Sequence, residues 1–242
     1  MRRPISFFNR FALWPLLFIS HLLVVSLLAW HLLAQMDFGY SLGYRLLDID
    51  KHIETFGPQN RYRESFETTD AAEHKRLFGE ITRSIQNGGE GLAEIRYPLP
   101  QGGSATLMRA PEVTHLDDVA RLINHFYAAG LVAAALLAAL LFYIHRTRPT
   151  PPGPRRILVV FGAGLAVGAV LLFLIGPVKV FYWLHDYAFP ADNPWFFYYQ
   201  DSLMTTLMKA PDLFGFIGLL LLFLILVLWS LSGALLWRWL GR

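Results

Sequence analysis

Apolar residues fall into four long blocks along the chain, at 11–35, 119–144, 157–175 and 213–240. Each block is close to or longer than the ~20 residues that a helix needs to cross a hydrocarbon core about 30 Å thick. The pattern therefore predicts four transmembrane helices. Because a cleaved signal sequence has a shorter apolar region, we interpret the first block as a retained anchor.

The segment 36–117, between the first two blocks, is polar enough to be solvated and patterned enough to fold. Within it, the stretch 71–87 has an apolar face at helical spacing. An N-cap at Asp70 or Thr69 precedes this stretch, and a glycine stop follows it. The inward-facing residues are predicted to be Leu77, Phe78, Ile81 and Ile85, and the stop is Gly88 or Gly89.

Two short segments that flank the sequence PQGG at 100–103 are typical of a β-hairpin with glycine in its turn. An isolated hairpin is only marginally stable in water, so we expect it to pack on the predicted helix. Together the helix and the hairpin predict a small α+β cap.

The predicted fold class is thus a membrane all-α protein with four transmembrane helices and a small α+β extracytoplasmic cap between spans 1 and 2. The N-terminus and first span occupy 1–35, the cap occupies 36–117, and the other three spans form a bundle over 118–242. The bundle includes a cytoplasmic loop at 145–156 and an outer loop at 177–210.

Basic residues near the span ends predict the orientation, because cytoplasmic loops carry an excess of Lys and Arg. Such residues precede the first span, fill the loop between the second and third spans, and close the chain: Arg2, Arg3, Arg10, Arg146, Arg148, Arg155, Arg156, Arg238 and Arg242. Both termini are therefore expected in the cytoplasm. The pI of 9.2 reflects this topology and indicates no nucleic-acid partner.

The chain has no cysteine, which excludes a thiol nucleophile and thiolate metal ligands. It also has no Gly-x-Ser-x-Gly nucleophile motif, no His-Glu-x-x-His zinc helix and no phosphate-binding glycine loop. The sequence therefore predicts neither a metal nor a cofactor.

Acid–base chemistry near neutral pH points to histidine, of which the chain has eight. Two are in polar outer sequence and are expected to be solvated, His52 and His74, and one is in the cytoplasmic loop, His145. Three are within spans, where we expect them to face the bundle interior and to form hydrogen bonds between helices: His21, His31 and His125.

His115 lies just before the second span, within the sequence PEVTHLDD. Glu112 is three residues before it and Asp118 three residues after, so a helix would place the three side chains on neighbouring turns. A carboxylate in that position can orient an imidazole. The alternative is an ordinary helix start, capped by Thr114 and followed by solvated acids, and the spacing alone leaves both open.

His185 follows the third span in an aromatic-rich stretch, FYWLHDYAFPADNPW. An interfacial aromatic belt accounts for the rings but not for His185. It also leaves unexplained the nearby acids Asp186, Asp192 and Asp201, and the helix-breaking Pro190 and Pro194. Irregular backbone at membrane depth is tolerated mainly where it lines a cavity, which favours a functional site.

These two segments together resemble the bacterial lipoprotein intramolecular transacylases, the Lit family. The first part of the family pattern is matched by Glu112, His115, Asp118 and Val119, the second by Phe181, His185, Phe189 and Trp195, and the third by Asp201 and Pro211. The sequence YYQD stands where a proline is more usual before the aspartate, and the outer loop diverges.

The resemblance implies an acyltransferase that moves the sn-2 acyl chain of a diacylglyceryl lipoprotein to the α-amino group of its N-terminal cysteine. In that reaction His185 is the general base, and His115 positions the headgroup or stabilises the oxyanion. Substrate-binding or orienting roles fall to Glu112, Asp118, Trp195 and Asp201. The implied partners are diacylated bacterial lipoproteins and membrane lipids, with no cofactor, at the outer leaflet of the bacterial inner membrane.

Two other functions compete with this one. A non-enzymatic lipid-binding or scaffolding protein would use its histidines only for hydrogen bonds between helices. A proton-coupled carrier would need polar groups along a whole path, and the third and fourth spans have almost none. The enzyme hypothesis requires both imidazoles, His115 and His185, to face one outer-leaflet pocket.

Overall fold

The structure is a computed structural model that describes residues 12–241, except for the burial of Pro154 and Gly241. In chain order its elements are α1 (Trp14–Ala34), α2 (Tyr40–Leu46), α3 (Ile49–Phe56), α4 (Ala71–Gln86), β1 (Arg96–Pro98), β2 (Ser104–Thr106), α5 (Ala110–Thr147), α6 (Pro154–Ile175), α7 (Pro177–Ala188), α8 (Leu203–Met208) and α9 (Asp212–Gly241). Four of the arginines used for orientation lie outside the described residues: Arg2, Arg3, Arg10 and Arg242.

Four of the helices, α1, α5, α6 and α9, are long and apolar enough to cross a membrane. This confirms the four predicted blocks. Helix α5 has 38 residues, which corresponds to about 57 Å and exceeds the ~30 Å of a hydrocarbon core. Its apolar stretch begins only after Arg121, so the polar first turns of α5 extend beyond that stretch.

Helix α6 ends at Gly176, whose φ of 91° is in the left-handed region that favours glycine. Pro177 then occupies the first position of α7, where its missing N–H costs no helical hydrogen bond. The local sequence Gly-Pro therefore ends the third long helix and starts a separate twelve-residue helix that carries His185.

The chain divides into two compact units. The first comprises Met1–Val25, Ala129–Pro190 and Leu228–Arg242. In its described part, Leu13, Trp14, Leu17 and Ile144 form a small buried cluster. His21 contacts Ser232 there, with 2.9 Å between Nε2 and Oγ.

The second unit comprises Ser26–Ala128 and Ala191–Val227, and it holds the larger core. Helix α4 begins at Asp70, whose side chain accepts a hydrogen bond of 2.8 Å from the backbone N–H of Glu73. Leu77, Phe78 and Ile81 are buried, and Ile85 is partly buried against the same core. The predicted cap helix is confirmed.

The predicted hairpin is also confirmed. Strands β1 and β2 pair antiparallel, with Tyr97 opposite Ala105. Gly102 and Gly103 have φ angles of 93° and 83°, which the turn requires and which other residues rarely adopt. Tyr97 is fully buried, so the hairpin packs on the cap core as expected.

Helix α8 was not predicted. It follows Ser202, which is its N-cap and accepts a hydrogen bond of 2.9 Å from the N–H of Thr205. All six of its residues are buried, and Tyr40 donates a hydrogen bond of 2.8 Å to the carbonyl of Leu207. The chain just before the fourth long helix is therefore part of the second unit's core.

The expectation that His74 is solvated was wrong, since only 4% of the residue is exposed. Thr69 donates its hydroxyl proton to the Phe66 carbonyl, so it accepts from Nε2–H of His74 at 2.8 Å. Tyr44 accordingly donates to Nδ1, also at 2.8 Å. These contacts satisfy the neutral imidazole on both nitrogens, and burial lowers its pKa to about 4.

His52 was also wrongly expected to be solvated. It is buried, packs edge-on against Tyr199 with 4.3 Å between ring centroids, and has a pKa lowered by burial to about 4. Among the histidines of the spans, His21 contacts Ser232 and His31 contacts Tyr127 at 3.1 Å, as expected. His125, in contrast, is exposed, because its face of α5 points away from the core of the second unit.

Helix α6 contains three glycines, and small residues in a membrane helix often mark close helix approach, but these three do not. A Cβ built on Gly162, Gly164 or Gly168 would meet no neighbouring atom within 4 Å in the described part of the chain. The helix is exposed along most of its length, so no partner helix makes use of these glycines there.

Candidate functional site

Glu112, His115 and Asp118 lie on one face of the first turns of α5, as their spacing indicated. Their exposed fractions are 1%, 8% and 6%, so the two acids are buried and not solvated. Thr114 donates its hydroxyl to the Ala110 carbonyl at 3.1 Å, within the helix. The alternative of a Thr114 cap with solvated acids is therefore wrong.

Three donors from two segments surround the carboxylate of Glu112. The backbone N–H and the Nε of Arg109 donate to Oε2 at 2.8 and 3.1 Å, and the hydroxyl of Ser202 donates to Oε1 at 2.5 Å. Because Ser202 also caps α8, Glu112 joins the start of α5 to the start of α8. The Arg109 guanidinium compensates its charge and lies 4.3 Å from the Tyr62 ring centroid.

The carboxylate of Asp118 has two partners as well. Arg121, one turn further along α5, forms an ion pair with Oδ1. Asn193 donates from Nδ2 to Oδ2 at 2.6 Å across 75 residues of sequence. Asn193 lies near the end of the aromatic-rich stretch, so this bond fixes the last part of that stretch to α5.

These bonds show that residues 193–202, here called the strap, run antiparallel to the first turns of α5. Asn193 lies at Asp118, and Ser202 lies at Glu112. Between them, the ring of Phe197 lies 6.3 Å from the ring of His115. The strap therefore covers His115 and is fastened on both sides of it.

The strap is irregular up to a single 3₁₀ turn at Tyr199–Asp201, so side-chain bonds and not a regular element hold it. Asp201 pairs with Arg61 at 3.2 Å, and the Arg61 N–H donates to the Gln200 carbonyl at 2.9 Å. Trp195 is half-buried in the strap beside Phe196, with 6.2 Å between ring centroids. Asp201 thus anchors the strap to the cap.

The two carboxylates of the site, on Glu112 and Asp118, differ in their contacts from the imidazole of His115. Both carboxylates are already engaged by arginine and by the strap, so they are suited to support the site. Burial raises the pKa of Glu112, against the lowering effects of the bonds from Ser202 and Arg109. Among the described residues, no group of three or more His, Asp or Glu side chains is arranged to hold a metal ion. The titratable group that faces the strap between the two acids is His115.

His185 lies on α7, in the first unit, and is half-buried. Its Nδ1 is 2.8 Å from the carbonyl oxygen of Phe181, one turn earlier. A carbonyl oxygen only accepts, so Nδ1 carries the proton and the lone pair is on Nε2. Burial lowers the pKa of His185, against smaller raising effects of the Phe181 carbonyl and Asp186, so the ring is neutral near pH 7.

Sequence reasoning missed four residues that build this site: Arg109, Arg121, Asn193 and Ser202. Ser202 carried a local signal, because a serine three residues before Thr205 and ahead of an apolar run is typical of an N-cap. Asn193 carried none, since its partner is 75 residues away.

The fold and site define a class: a mostly helical protein with four helices able to cross a membrane and a buried histidine site at the polar end of one of them. The sequence model of one family, lipoprotein intramolecular transacylase Lit, matches residues 15–210. The match covers most of the chain, so the protein belongs to this family and is an acyltransferase. Comparison with curated proteins and with solved structures gave no match.

Membership of this family makes the non-enzymatic scaffold and the proton-coupled carrier the weaker hypotheses. The matched range includes both histidine segments, 112–118 and 181–195, and the whole strap. The family acts on lipoproteins, which agrees with a site at the first turns of one of the four apolar helices.

Proposed function

We propose that the protein transfers the sn-2 acyl chain of a diacylglyceryl lipoprotein to the α-amino group of its N-terminal cysteine. The observation that carries this proposal is the covered imidazole of His115 between two carboxylates that are engaged elsewhere. Family membership supports the reaction type, and the arginine and strap contacts of both carboxylates support histidine as the acid–base group.

The reaction is an internal exchange of an ester for an amide. The amine nitrogen attacks the sn-2 ester carbonyl, a C–N bond forms, and the tetrahedral oxyanion then collapses with loss of the C–O bond to glycerol. One proton leaves the nitrogen and one reaches the sn-2 oxygen, so the atoms balance without water. Nucleophile and electrophile belong to one molecule, and the enzyme needs mainly to orient them and to move the proton.

His185 is the proposed proton shuttle. Its Nδ1–H donates to Phe181, which fixes the ring and leaves the Nε2 lone pair as the basic position. Its lowered pKa keeps it neutral at pH 7, as a general base requires. After taking the amine proton, Nε2–H delivers it to the departing oxygen.

His115 is the proposed positioning group for the ester, or the donor to the oxyanion. Glu112 and Asp118 hold the helix turns and the strap on either side of it. Trp195 and Asp201 belong to the strap, and we assign them to the wall that receives the substrate. Because the strap is held over His115, it also limits the access of water, which would otherwise hydrolyse the ester.

We place this site at the outer leaflet of the bacterial cytoplasmic membrane, with both termini in the cytoplasm. The arginines at the other ends of the long helices support that orientation. The polar first turns of α5 then stand outside the membrane with the cap over 36–117, and 118–242 supplies the remaining spans.

Mass spectrometry of a lipoprotein N-terminus tests the proposal. Intramolecular transfer leaves the intact mass unchanged and moves one acyl group from the glyceryl fragment to the cysteine nitrogen. Transfer from a phospholipid would instead raise the mass by one acyl group. Appearance of the N-acyl fragment only at raised mass, or its absence with active protein present, would contradict the proposed reaction.

A further inference from the structure

A cavity lies within the first unit, and none of its lining residues belongs to the candidate site. It has a volume of about 240 Å³, and its walls come from α1, α6 and α9. The lining is mostly apolar and includes Phe18, Ile157, Leu158, Trp229 and Trp237. An apolar cavity of about 150 Å³ already takes up benzene, so this one has room for several methylene groups of one chain.

His21, which lines this cavity, and Ser232 form a hydrogen-bonded pair beside it. Ser232 donates to the Leu228 carbonyl at 2.6 Å, so its oxygen accepts from Nε2–H of His21 at 2.9 Å. The wall therefore offers an occupant apolar contact and no hydrogen bond from this pair. That chemistry suits a hydrocarbon chain.

Basic residues are next in sequence to several residues that line the cavity. Arg155 and Arg156 directly precede the lining residues Ile157 and Leu158, and Arg238 directly follows Trp237. All three arginines are exposed, and none of them forms an ion pair with a described residue. The sequence of the first unit contains a single acidic residue, Asp186, in α7 beyond the other end of α6.

We infer that this cavity and its arginines form a binding site for an anionic phospholipid, with one acyl chain in the cavity and the phosphate headgroup at the arginines. Lipid tails are as apolar as the cavity wall, so a chain gains little by moving from the bilayer into it. Selection must therefore come from headgroup charge, and basic pockets between membrane helices bind anionic lipids in this way.

The site does not depend on the proposed reaction. Arg155 and Arg156 are at the end of α6 opposite α7, and Arg238 is in the last turn of α9. Under the proposed orientation all three face the inner leaflet. It would hold a resident lipid between α1, α6 and α9. Such a lipid would add contacts along the largely exposed α6.

Native mass spectrometry of the purified full chain tests the inference. Phosphatidylglycerol and phosphatidylcholine with the same chains are added in equal amounts. We expect at least tenfold preferential retention of phosphatidylglycerol. The double variant Arg155→Gln/Arg156→Gln should lose about fivefold in affinity per arginine, which corresponds to about 1 kcal/mol each.

A second variant tests the cavity itself. Gly233 lines the cavity, and a Cβ there meets no described atom within 4 Å, so we expect the side chain of Gly233→Leu to occupy the cavity. It should abolish retention of phosphatidylglycerol. Gly164→Leu is the matched control, because Gly164 is equally open on α6 and does not line the cavity.

Equal retention of the two lipids by the wild-type protein, or wild-type retention by Gly233→Leu, would overturn the inference. If the arginine double variant retains phosphatidylglycerol as well as the wild-type protein does, the cavity is an adventitious hydrocarbon site without headgroup selection. That result would also overturn the inference. None of these results bears on lipoprotein acylation, so this inference and the proposed function fail separately.

Discussion

The side-chain amide of Asn193 donates a hydrogen bond to the carboxylate of Asp118 over 2.6 Å, and this bond fastens one end of the strap one turn beyond His115 on α5. The other end is fastened to Glu112, one turn before His115. Two long-range hydrogen bonds between polar side chains therefore hold the strap over His115.

Asn193→Asp places two carboxylates in hydrogen-bond contact, and their repulsion should release this end of the strap. We expect kcat for lipoprotein N-acylation to fall about 10-fold to 100-fold, the size reported when a positioning contact is lost. Asp118→Asn/Asn193→Asp restores one donor and one acceptor, so it should recover most of that loss. A double-mutant cycle on kcat and KM measures the coupling.

One result of the double-mutant cycle would contradict this prediction. If the double variant is no better than the sum of its parts, the two residues act independently and the strap does not position His115. Asp117→Asn is a matched control, because Asp117 is the neighbouring acid on α5 and the structure assigns it no contact with the strap.

Ser202→Ala removes the donor to Glu112 and the N-cap of α8 together. A hydrogen bond to a charged group contributes about 1.5–3 kcal/mol, so the free energy of unfolding should fall by about that amount. Chemical unfolding in detergent measures the change, with Ser41→Ala on the exposed face of α2 as the control. Equal stabilities for the two variants would mean that the Ser202–Glu112 contact contributes nothing.

His74→Ala should destabilise the cap by about 2–3 kcal/mol, because it leaves a cavity and removes the partner of Tyr44 and Thr69. Tyr44→Phe removes one of the same bonds and should cost about 1 kcal/mol. Hydrogen exchange in α4 reports the loss locally. An unchanged free energy of unfolding for His74→Ala would contradict this prediction and would favour the solvated position expected from the sequence.

Acid should weaken the cap through the same residue. The folded-state pKa of His74 is about 4 and its unfolded value is 6.5. The unfolded chain therefore binds the proton first, and stability that is complete above pH 6.5 is lost as the pH falls from 6.5 to 4. His74→Gln should flatten this part of the unfolding curve. His52, with a similarly lowered pKa, titrates in the same window.

The pH dependence of catalysis should follow His185. A general base must be neutral, and burial lowers its pKa, so kcat/KM should rise with pH along a limb centred below 6.5. A second limb near pH 8 belongs to the substrate amine, which must also be neutral. A profile whose lowest limb lies above 6.5 would contradict the assignment of His185 as base.

The sequence predicted the features that depend on contacts between residues close together in the chain. The four apolar blocks, the Asp70 cap of α4, the glycine turn of the hairpin and the shared face of Glu112, His115 and Asp118 all follow from spacing along the chain. These features depend on partners no more than a few turns away.

Long-range polar contacts could not be predicted in this way. The bonds Asn193–Asp118 and Ser202–Glu112 join residues 75 and 90 positions apart. His74 was misjudged for the same reason, since its polar neighbours suggested solvent while Tyr44, 30 positions away, accommodates it in the core. Whether His115 and His185 face one pocket stays a prediction.

The most direct measurement is the N-acylation activity of His185→Ala in membranes with matched protein levels, read by mass spectrometry of the lipoprotein N-terminus. His125→Ala is the control, because that imidazole is exposed on α5 and outside the proposed site. General acid–base catalysis contributes about 10²–10⁴-fold, so His185→Ala should lose at least about 10²-fold while His125→Ala keeps full activity. His115→Ala should lose about 10²–10³-fold if its ring donates to the oxyanion, and less if it only positions the ester. Full activity of His185→Ala would contradict the proposed mechanism, whatever the other variants show.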